Sequence, residues 1–133
     1  MIKKIPSTDI SINSFIGEKT SLKGIFSIKG PLRIDGNFSG KIESTGKVII
    51  GKNGRAECII IAKTITVGGT VKGDIIAEDK VNVLKSAEII GNIYSCSVNM
   101  DDGVIFNGKC KILTKDQIKD LIENKKAEKI EIN

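Results

Sequence analysis

The feature of this sequence that most constrains its fold is a motif that recurs between Leu32 and Val98 about every sixteen to eighteen residues. Each copy opens with two apolar residues separated by one other residue, and the second members of successive pairs lie 16, 17, 16 and 17 residues apart. These pairs are Leu32/Ile34, Val48/Ile50, Ile65/Val67, Val81/Val83 and Val98/Met100. A degenerate earlier copy between Phe15 and Phe26 brings the number to six. Self-similarity at a fixed period indicates a repeat protein.

Within each copy, apolar residues alternate with polar ones for two to four positions before Gly, Asn, Asp or Lys-Ser interrupts the pattern. This period of two is typical of very short strands with one buried face. Two further apolar positions follow each opening pair, so a copy contains three short strands and three corners. The sequence therefore predicts an all-β fold, a parallel β-helix of three-sided coils in which each strand pairs with its equivalent one coil away. Six coils spaced by about 4.8 Å would form a rod roughly 25–30 Å long.

An ordinary antiparallel sandwich or barrel is the alternative all-β fold. Those folds need regular hairpin signals, such as Asn-Gly between long alternating strands. Such signals are few in this sequence. The repeat therefore favours the solenoid.

The residues of the repeat resemble a known family, the bactofilins, which are bacterial cytoskeletal proteins. The resemblance covers about residues 16–112 and implies a right-handed β-helix that polymerises without nucleotide, cofactor or metal. Two corners depart from the pattern, because Glu57-Cys58 and Leu84-Lys-Ser-Ala stand where glycine is expected. The segments that carry the resemblance are Leu32-Arg-Ile-Asp-Gly-Asn-Phe-Ser-Gly40, Val48-Ile-Ile-Gly51, Ile65-Thr-Val-Gly-Gly-Thr-Val-Lys-Gly73-Asp-Ile75 and Val104-Ile-Phe-Asn-Gly108.

The chain divides into a flexible N-terminal tail (1–15), the β-helix core (16–112) and a C-terminal amphipathic helix or tail (113–133). Thr114-Lys-Asp-Gln117 fits a capping box, and the apolar residues after it, Ile118, Leu121 and Ile122, recur at helical spacing. We expect this helix to fold over the last coil as a cap, since exposed solenoid ends need covering. A free helix that binds a partner is the alternative.

Charge and residue types exclude several functions. The net charge is +5, but no segment is a basic block, and the chain contains no Trp and one Tyr, so nucleic-acid binding has little support. Histidine is absent, and Cys58, Cys96 and Cys110 are widely spaced, which argues against a zinc site and for a reducing compartment. Neighbouring Asp101 and Asp102 at a Gly corner are interpreted as a turn signal. We predict no catalytic, cofactor-binding or metal-binding residue.

The N-terminal tail is the candidate membrane contact. Met1, Ile2 and Ile5 flank Lys3 and Lys4, so the segment has apolar residues to insert and cations to bind anionic headgroups. One short segment binds weakly, whereas a polymer that displays many copies binds by avidity. A disordered leader without any membrane role is the alternative.

The sequence shows no signal peptide and no apolar run long enough to span a bilayer. The predicted location is therefore the cytoplasm, including the inner face of the cell membrane.

The two open ends of a solenoid present unpaired backbone groups that act as templates for another rod. The candidate polymerisation interface consists of Phe106 and Ile105 in the last coil and of Leu22 and Phe26 in the first. The family resemblance places the key polymerisation aromatic at Phe106. The alternative role for Phe106 is an inward core residue that fills the narrowing end.

The predicted function is a cytoskeletal scaffold, not an enzyme, that self-assembles end to end into filaments and organises cell shape or envelope synthesis. Hexapeptide-repeat acyltransferases share the periodicity but use a catalytic His, and no Walker loop is present to bind nucleotide. Sugar-lyase β-helices are longer than this rod, which has little room for their substrate groove. The second hypothesis is a non-polymerising β-helix adaptor that recruits a cell-wall enzyme or envelope protein.

Overall fold

The computed structural model describes residues 14–127 of the chain. In this range thirteen strands form one sheet, all strand pairs are parallel, and one helix follows. The strands are β1 (Ser14–Ile16), β2 (Ser21–Ile28), β3 (Leu32–Ile34), β4 (Asn37–Ser44), β5 (Lys47–Ile50), β6 (Arg55–Val67), β7 (Thr70–Lys72), β8 (Ile75–Val83), β9 (Glu88–Ile90), β10 (Ile93–Ser95), β11 (Val98–Met100), β12 (Ile105–Asn107) and β13 (Cys110–Ile112), and the helix is α1 (Lys115–Ala127).

The sheet winds into six coils, and each coil contributes one strand segment to each of three faces. The first face begins with β1, β3 and β5 and ends with β11. The second face runs from the start of β2 to β12, and the third runs from the end of β2 to β13. The long strands β2, β4, β6 and β8 continue around corners and therefore belong to more than one face. This architecture confirms the predicted parallel β-solenoid of about six coils with a short C-terminal helix.

The apolar pairs of the repeat point inward and stack in register. On the first face, Leu32 pairs with Val48, and Val48 pairs with Ile65, and all three are buried. On the second face the inward column runs from Leu22 through Phe38 and Ala56 to Val71, Ile89 and Phe106. Each fully buried Ile, Leu or Val contributes roughly 1.5–3 kcal/mol. The core is therefore a set of aliphatic ladders that runs the length of the rod.

The corner between the second and third faces is a column of glycines. Gly24 lies beside Gly40, and the column continues through Cys58 to Gly73, Gly91 and Gly108. A Cβ on Gly40 would overlap the carbonyl oxygen of Gly24, and Gly40 has a φ of +127°. The coils therefore approach too closely here for most side chains.

The two corners that lack the expected glycine are formed in other ways. At Cys58 the backbone avoids positive φ, as do all other non-glycine residues in the described range, and β6 continues through the corner. The thiol enters the core, with 5% of the residue exposed. At the second departure, Ala87 N donates to Leu84 O at 2.9 Å, and Ser86 Oγ donates to Gly68 O at 2.6 Å.

Helix α1 begins with the predicted capping box but does not cover the last coil. Gln117 N donates to Thr114 Oγ1 at 3.2 Å, and Thr114 N donates to Gln117 Oε1 at 3.0 Å. The helix packs against β8, so it turns back along the third face. The expected cap over the last coil is therefore wrong. Leu113 N donates to Ser95 O at 2.8 Å, so the pairing of the last coil with the fifth continues to the residue before the capping box.

The predicted domain boundaries at residues 15 and 112 stay predictions.

Candidate functional site: the two ends of the solenoid

The last coil exposes the final members of the core ladders. Phe106 pairs with Ile89 in the inward column of the second face, and it packs against the core while remaining only partly buried. Met100 is 39% exposed and Ile112 is 61% exposed at the ends of the other two faces. These residues have one neighbouring coil rather than two. Phe106 therefore lies in the core column and on the end surface at once, and its part in polymerisation stays a prediction.

Ile105 lies beside Phe106 but points elsewhere. Strand alternation turns its side chain to the outside of the second face, where it pairs with Glu88 and is 60% exposed. Ile105 is thus a rim residue of the last coil, whereas Phe106 belongs to its end surface.

The first coil presents a matching apolar surface. Leu22 heads the column that ends at Phe106, and it is 37% exposed. Phe26 is partly buried and makes an edge-to-face contact with Phe38, with ring centroids 5.0 Å apart and an interplanar angle of 71°. This contact fixes the ring of Phe26 in the first coil. Both predicted residues of this end therefore lie on it.

Strand edges accompany these apolar surfaces. In the last coil β11 pairs only with β8, β12 with β9 and β13 with β10. At the other end β1 pairs only with β3, and β2 only with β4. Each end of the described solenoid thus carries backbone N–H and C=O groups on strands with one free side.

A second apolar surface, which the sequence pattern did not predict, lies on the outside of the third face. Ile61 and Ile76 are neighbours in adjacent coils, and both are almost fully buried although neither belongs to the core cluster. Ile118 of α1 is also fully buried, and α1 packs against β8, which carries Ile76. A signal was present, because Ile59-Ile60-Ile61 and Ile75-Ile76 break the alternation of apolar and polar residues.

An ion pair accompanies the docked helix. Lys115 Nζ lies 3.1 Å from Asp79 Oδ1, just beyond the part of β8 that carries Ile76. The hydrogen bond to Asp79 and the charge of Asp79 raise the pKa of Lys115 above its usual value. Both side chains are substantially exposed, so the pair orients the helix more than it stabilises it.

The three cysteines lie in different environments. Cys58 is buried, Cys96 is half-buried and donates to Glu78 O at 3.4 Å, and Cys110 is exposed in the last coil. Burial raises the pKa of Cys58 to about 12. Among residues 14–127, no group of three or more His, Cys, Asp or Glu side chains is placed to hold a metal ion.

The predicted membrane-contact residues Met1, Ile2, Lys3, Lys4 and Ile5 lie outside the described residues. Within the described part of the chain, α1 is neither long nor apolar enough to cross a membrane.

The described fold is a short three-sided β-solenoid with uncovered ends, and comparison with known proteins assigns it to a family. The family model "Bactofilin: Polymer-forming cytoskeletal" matches residues 14–111. The chain belongs to the bactofilin family, as the sequence resemblance implied.

Two curated relatives and one solved structure are similar to the chain. Bactofilin BacO of Myxococcus xanthus (strain DK1622) is 27% identical over 110 residues, which are 83% of this chain and 87% of BacO. Bactofilin BacP of the same organism is 22% identical over 107 residues, which are 80% of this chain but only 45% of BacP. The cryo-EM reconstruction of Thermus thermophilus bactofilin double helical filaments matches with a TM-score of 0.66 and 26% identity, covering 75% of this chain and 99% of that one.

Proposed function

We propose that this protein is a cytoskeletal scaffold that assembles end to end into filaments without nucleotide or metal. The observation that carries the proposal is that each end of the solenoid combines exposed ladder residues with strands that have one free side. Phe106, Met100 and Ile112 supply the apolar surface of the last end, and Leu22 and Phe26 supply that of the first. The family and the filament-forming Thermus neighbour support the same function.

Two contributions stabilise such a contact. Burial of the end residues removes apolar surface from water, at roughly 25 cal/mol per Å². The free strand edges add backbone hydrogen bonds, as when an added strand extends a sheet. Since each rod has two ends, and end contacts between rods do not close into a ring, repeated addition produces a filament.

The N-terminal tail supports a location on the inner face of the cell membrane. In a filament, many copies of Met1, Ile2, Lys3, Lys4 and Ile5 would face one anionic surface, and avidity would compensate for the weak binding of each copy. From this position the polymer would organise cell shape or envelope synthesis. Flotation with vesicles that contain anionic lipid tests the proposal, and binding unaffected by the double substitution Lys3→Glu, Lys4→Glu would refute it.

Phe106→Arg tests the end contact. A guanidinium on the end surface would meet the apolar end of the next copy without a partner, and burial of an unpaired charge is strongly unfavourable. We expect purified wild-type protein to pellet at high speed and to show filaments in negative stain, whereas Phe106→Arg stays in the supernatant. Circular dichroism checks that the variant remains folded.

Leu84→Arg is the matched control. Leu84 is 43% exposed at the corner after β8, in the fifth coil, so this variant adds the same charge outside both end surfaces. It should form filaments like the wild type. A wild type that stays monodisperse would contradict the polymer and favour the alternative, an adaptor that recruits a cell-wall enzyme or envelope protein.

A further inference from the structure

One edge of the solenoid, where the third face turns into the first, carries an exposed lysine at each of four successive corners. These lysines lie 18, 16 and 17 residues apart, so the period of the repeat brings them to one edge although no segment of the sequence is basic. Lys47 pairs with Thr64 and Thr64 with Lys80, and Lys63 N donates to Gly46 O at 2.9 Å. We name the set the lysine edge: Lys29, Lys47, Lys63 and Lys80.

The acids of this edge do not balance its lysines. The corner segments that link the third face to the first contain two acids, Glu78 and Asp79, and both are half-buried. Lys115 Nζ lies 3.1 Å from Asp79 Oδ1, so the docked helix α1 neutralises that carboxylate. The corners between the first and second faces differ, because three lysines there are accompanied by four acids. Those residues are Lys19, Lys52, Lys85, Glu18, Asp35, Asp101 and Asp102.

The N-terminal tail joins the solenoid at the lysine edge. Ser14 pairs with Leu32 and Leu32 with Val48, and Lys47 directly precedes Val48. The residues before Ser14 therefore leave the first coil on the side where the lysine edge runs. Thirteen residues span at most roughly 45 Å. The candidate membrane-contact residues at the start of the tail are thus tethered beside the exposed lysines of the folded core.

We propose that the lysine edge is the side of the filament that faces an anionic lipid membrane. This inference rests on the proposed filament and its membrane location, and it adds a contact made by the folded core, which sets the orientation of the filament. A lysine near anionic headgroups strengthens binding by about fivefold. A filament repeats the edge in every copy, so these modest contributions act together.

The tail favours lipid over nucleic acid as the partner of this edge. Met1, Ile2 and Ile5 supply apolar side chains at the same side of the molecule, and such residues insert among lipids. Proteins that bind single-stranded nucleic acid stack bases on aromatic side chains. The chain contains no Trp and one Tyr, Tyr94, which lies on the third face rather than among the lysines.

Lysine acetylation tests the orientation on wild-type filaments. When filaments bind vesicles of phosphatidylcholine and phosphatidylserine, acetylation of the lysine edge by an amine-reactive reagent should lose most of its rate, as read by mass spectrometry. Lys52 and Lys85, which are exposed at the corners between the first and second faces, should react at an unchanged rate. Vesicles of phosphatidylcholine alone should protect neither set. Equal protection of the two sets on anionic vesicles would overturn the proposal.

Removal of charge tests how much the edge contributes. The edge variant of the full-length chain carries Lys47→Gln, Lys63→Gln and Lys80→Gln. The control variant removes the same charge from exposed positions at the other corners, with Lys19→Gln, Lys52→Gln and Lys85→Gln. Both should form filaments, since none of these side chains lies on an end surface. In flotation with anionic vesicles, the edge variant should lose about a hundredfold in lipid affinity, at about fivefold per lysine, and the control should bind like the wild type.

The possible failures are distinguishable. Flotation of the edge variant like the wild type, or an equal loss in both variants, would overturn the lysine edge and leave the filament and its tail in place. A shift of duplex DNA that the edge variant abolishes, with flotation unchanged, would assign the edge to nucleic acid and overturn the membrane contact. A wild type that forms no filaments, or that does not float, would contradict the proposed function and this inference with it.

Discussion

Close contact between the backbones of adjacent coils limits which residues fit at several positions of this solenoid. Gly91 has a φ of +142°, and a Cβ there would overlap the carbonyl oxygen of Gly73 in the preceding coil. Gly103 also has a positive φ, +93°, but a Cβ there would have only Lys85 O within 4 Å, at 3.9 Å. The two glycines share the conformational requirement and differ in available space.

This difference predicts unequal effects of alanine. Gly103→Ala should lower the free energy of unfolding by about 1–3 kcal/mol, because a non-glycine residue must adopt a strained backbone. Gly91→Ala should lower it further, since the backbones of two coils must also separate. Thermal unfolding followed by circular dichroism measures both variants. Equal melting temperatures would show that contact between coils does not limit this corner.

Cys58 makes stability depend on alkaline pH. Its thiol has a pKa of about 12 in the folded protein because burial disfavours the thiolate, compared with 9.0 for an ordinary thiol. The unfolded chain loses this proton more readily. The contribution of Cys58 to stability is therefore complete below about pH 9 and declines as pH rises toward 12.

Comparison with Cys58→Ala isolates this effect. Between pH 8 and pH 10.5 the melting temperature of the wild type should fall more than that of the variant, since other titrating groups are common to both. In the folded wild type, exposed Cys110 should also react with a thiol reagent well before Cys58. Parallel decreases in the two melting temperatures would refute the predicted role of burial.

Among the elements, α1 depends most on tertiary contact. Ile118→Ala removes the fully buried side chain of the helix, and such truncations typically reduce stability by about 2–5 kcal/mol. We expect the helix to undock and the amides of residues 115–127 to lose protection in hydrogen exchange. Lys119→Ala, at an exposed position of the same helix, should retain protection. Similar protection in both variants would show that Ile118 does not anchor α1.

The strands and the helix differ in how far their sequence determines their place. The apolar pairs such as Val48 and Ile50 predicted the coils correctly, because each buried side chain repeats the environment of its equivalent one coil away. The pattern of Ile118, Leu121 and Ile122 predicted an amphipathic helix but not its docking site, because an apolar face fits any apolar surface. The sequence did contain a signal for this docking site. Ile61 and Ile76 are apolar residues at outward positions, which the inward pattern of the core does not require.

At the scale of the whole molecule, the sequence pattern predicted the residues of the two ends better than the directions of their side chains. The repeat assigned Leu22 and Phe26 to the first coil and Phe106 to the last, and strand pairing places them there. It did not separate Phe106 from Ile105, since that distinction requires knowing which side of a short strand faces the core. Register with Ile89 assigns Phe106 to the core column.

The axial spacing of copies within a filament tests end-to-end assembly most directly. Six coils at about 4.8 Å each predict an advance of about 29 Å per copy when strands of adjoining ends pair. Cryo-EM of filaments grown without nucleotide or metal should therefore show this advance, with Phe106 inside the junction. A substantially shorter advance, or copies joined by their sides with both ends facing solvent, would contradict the account.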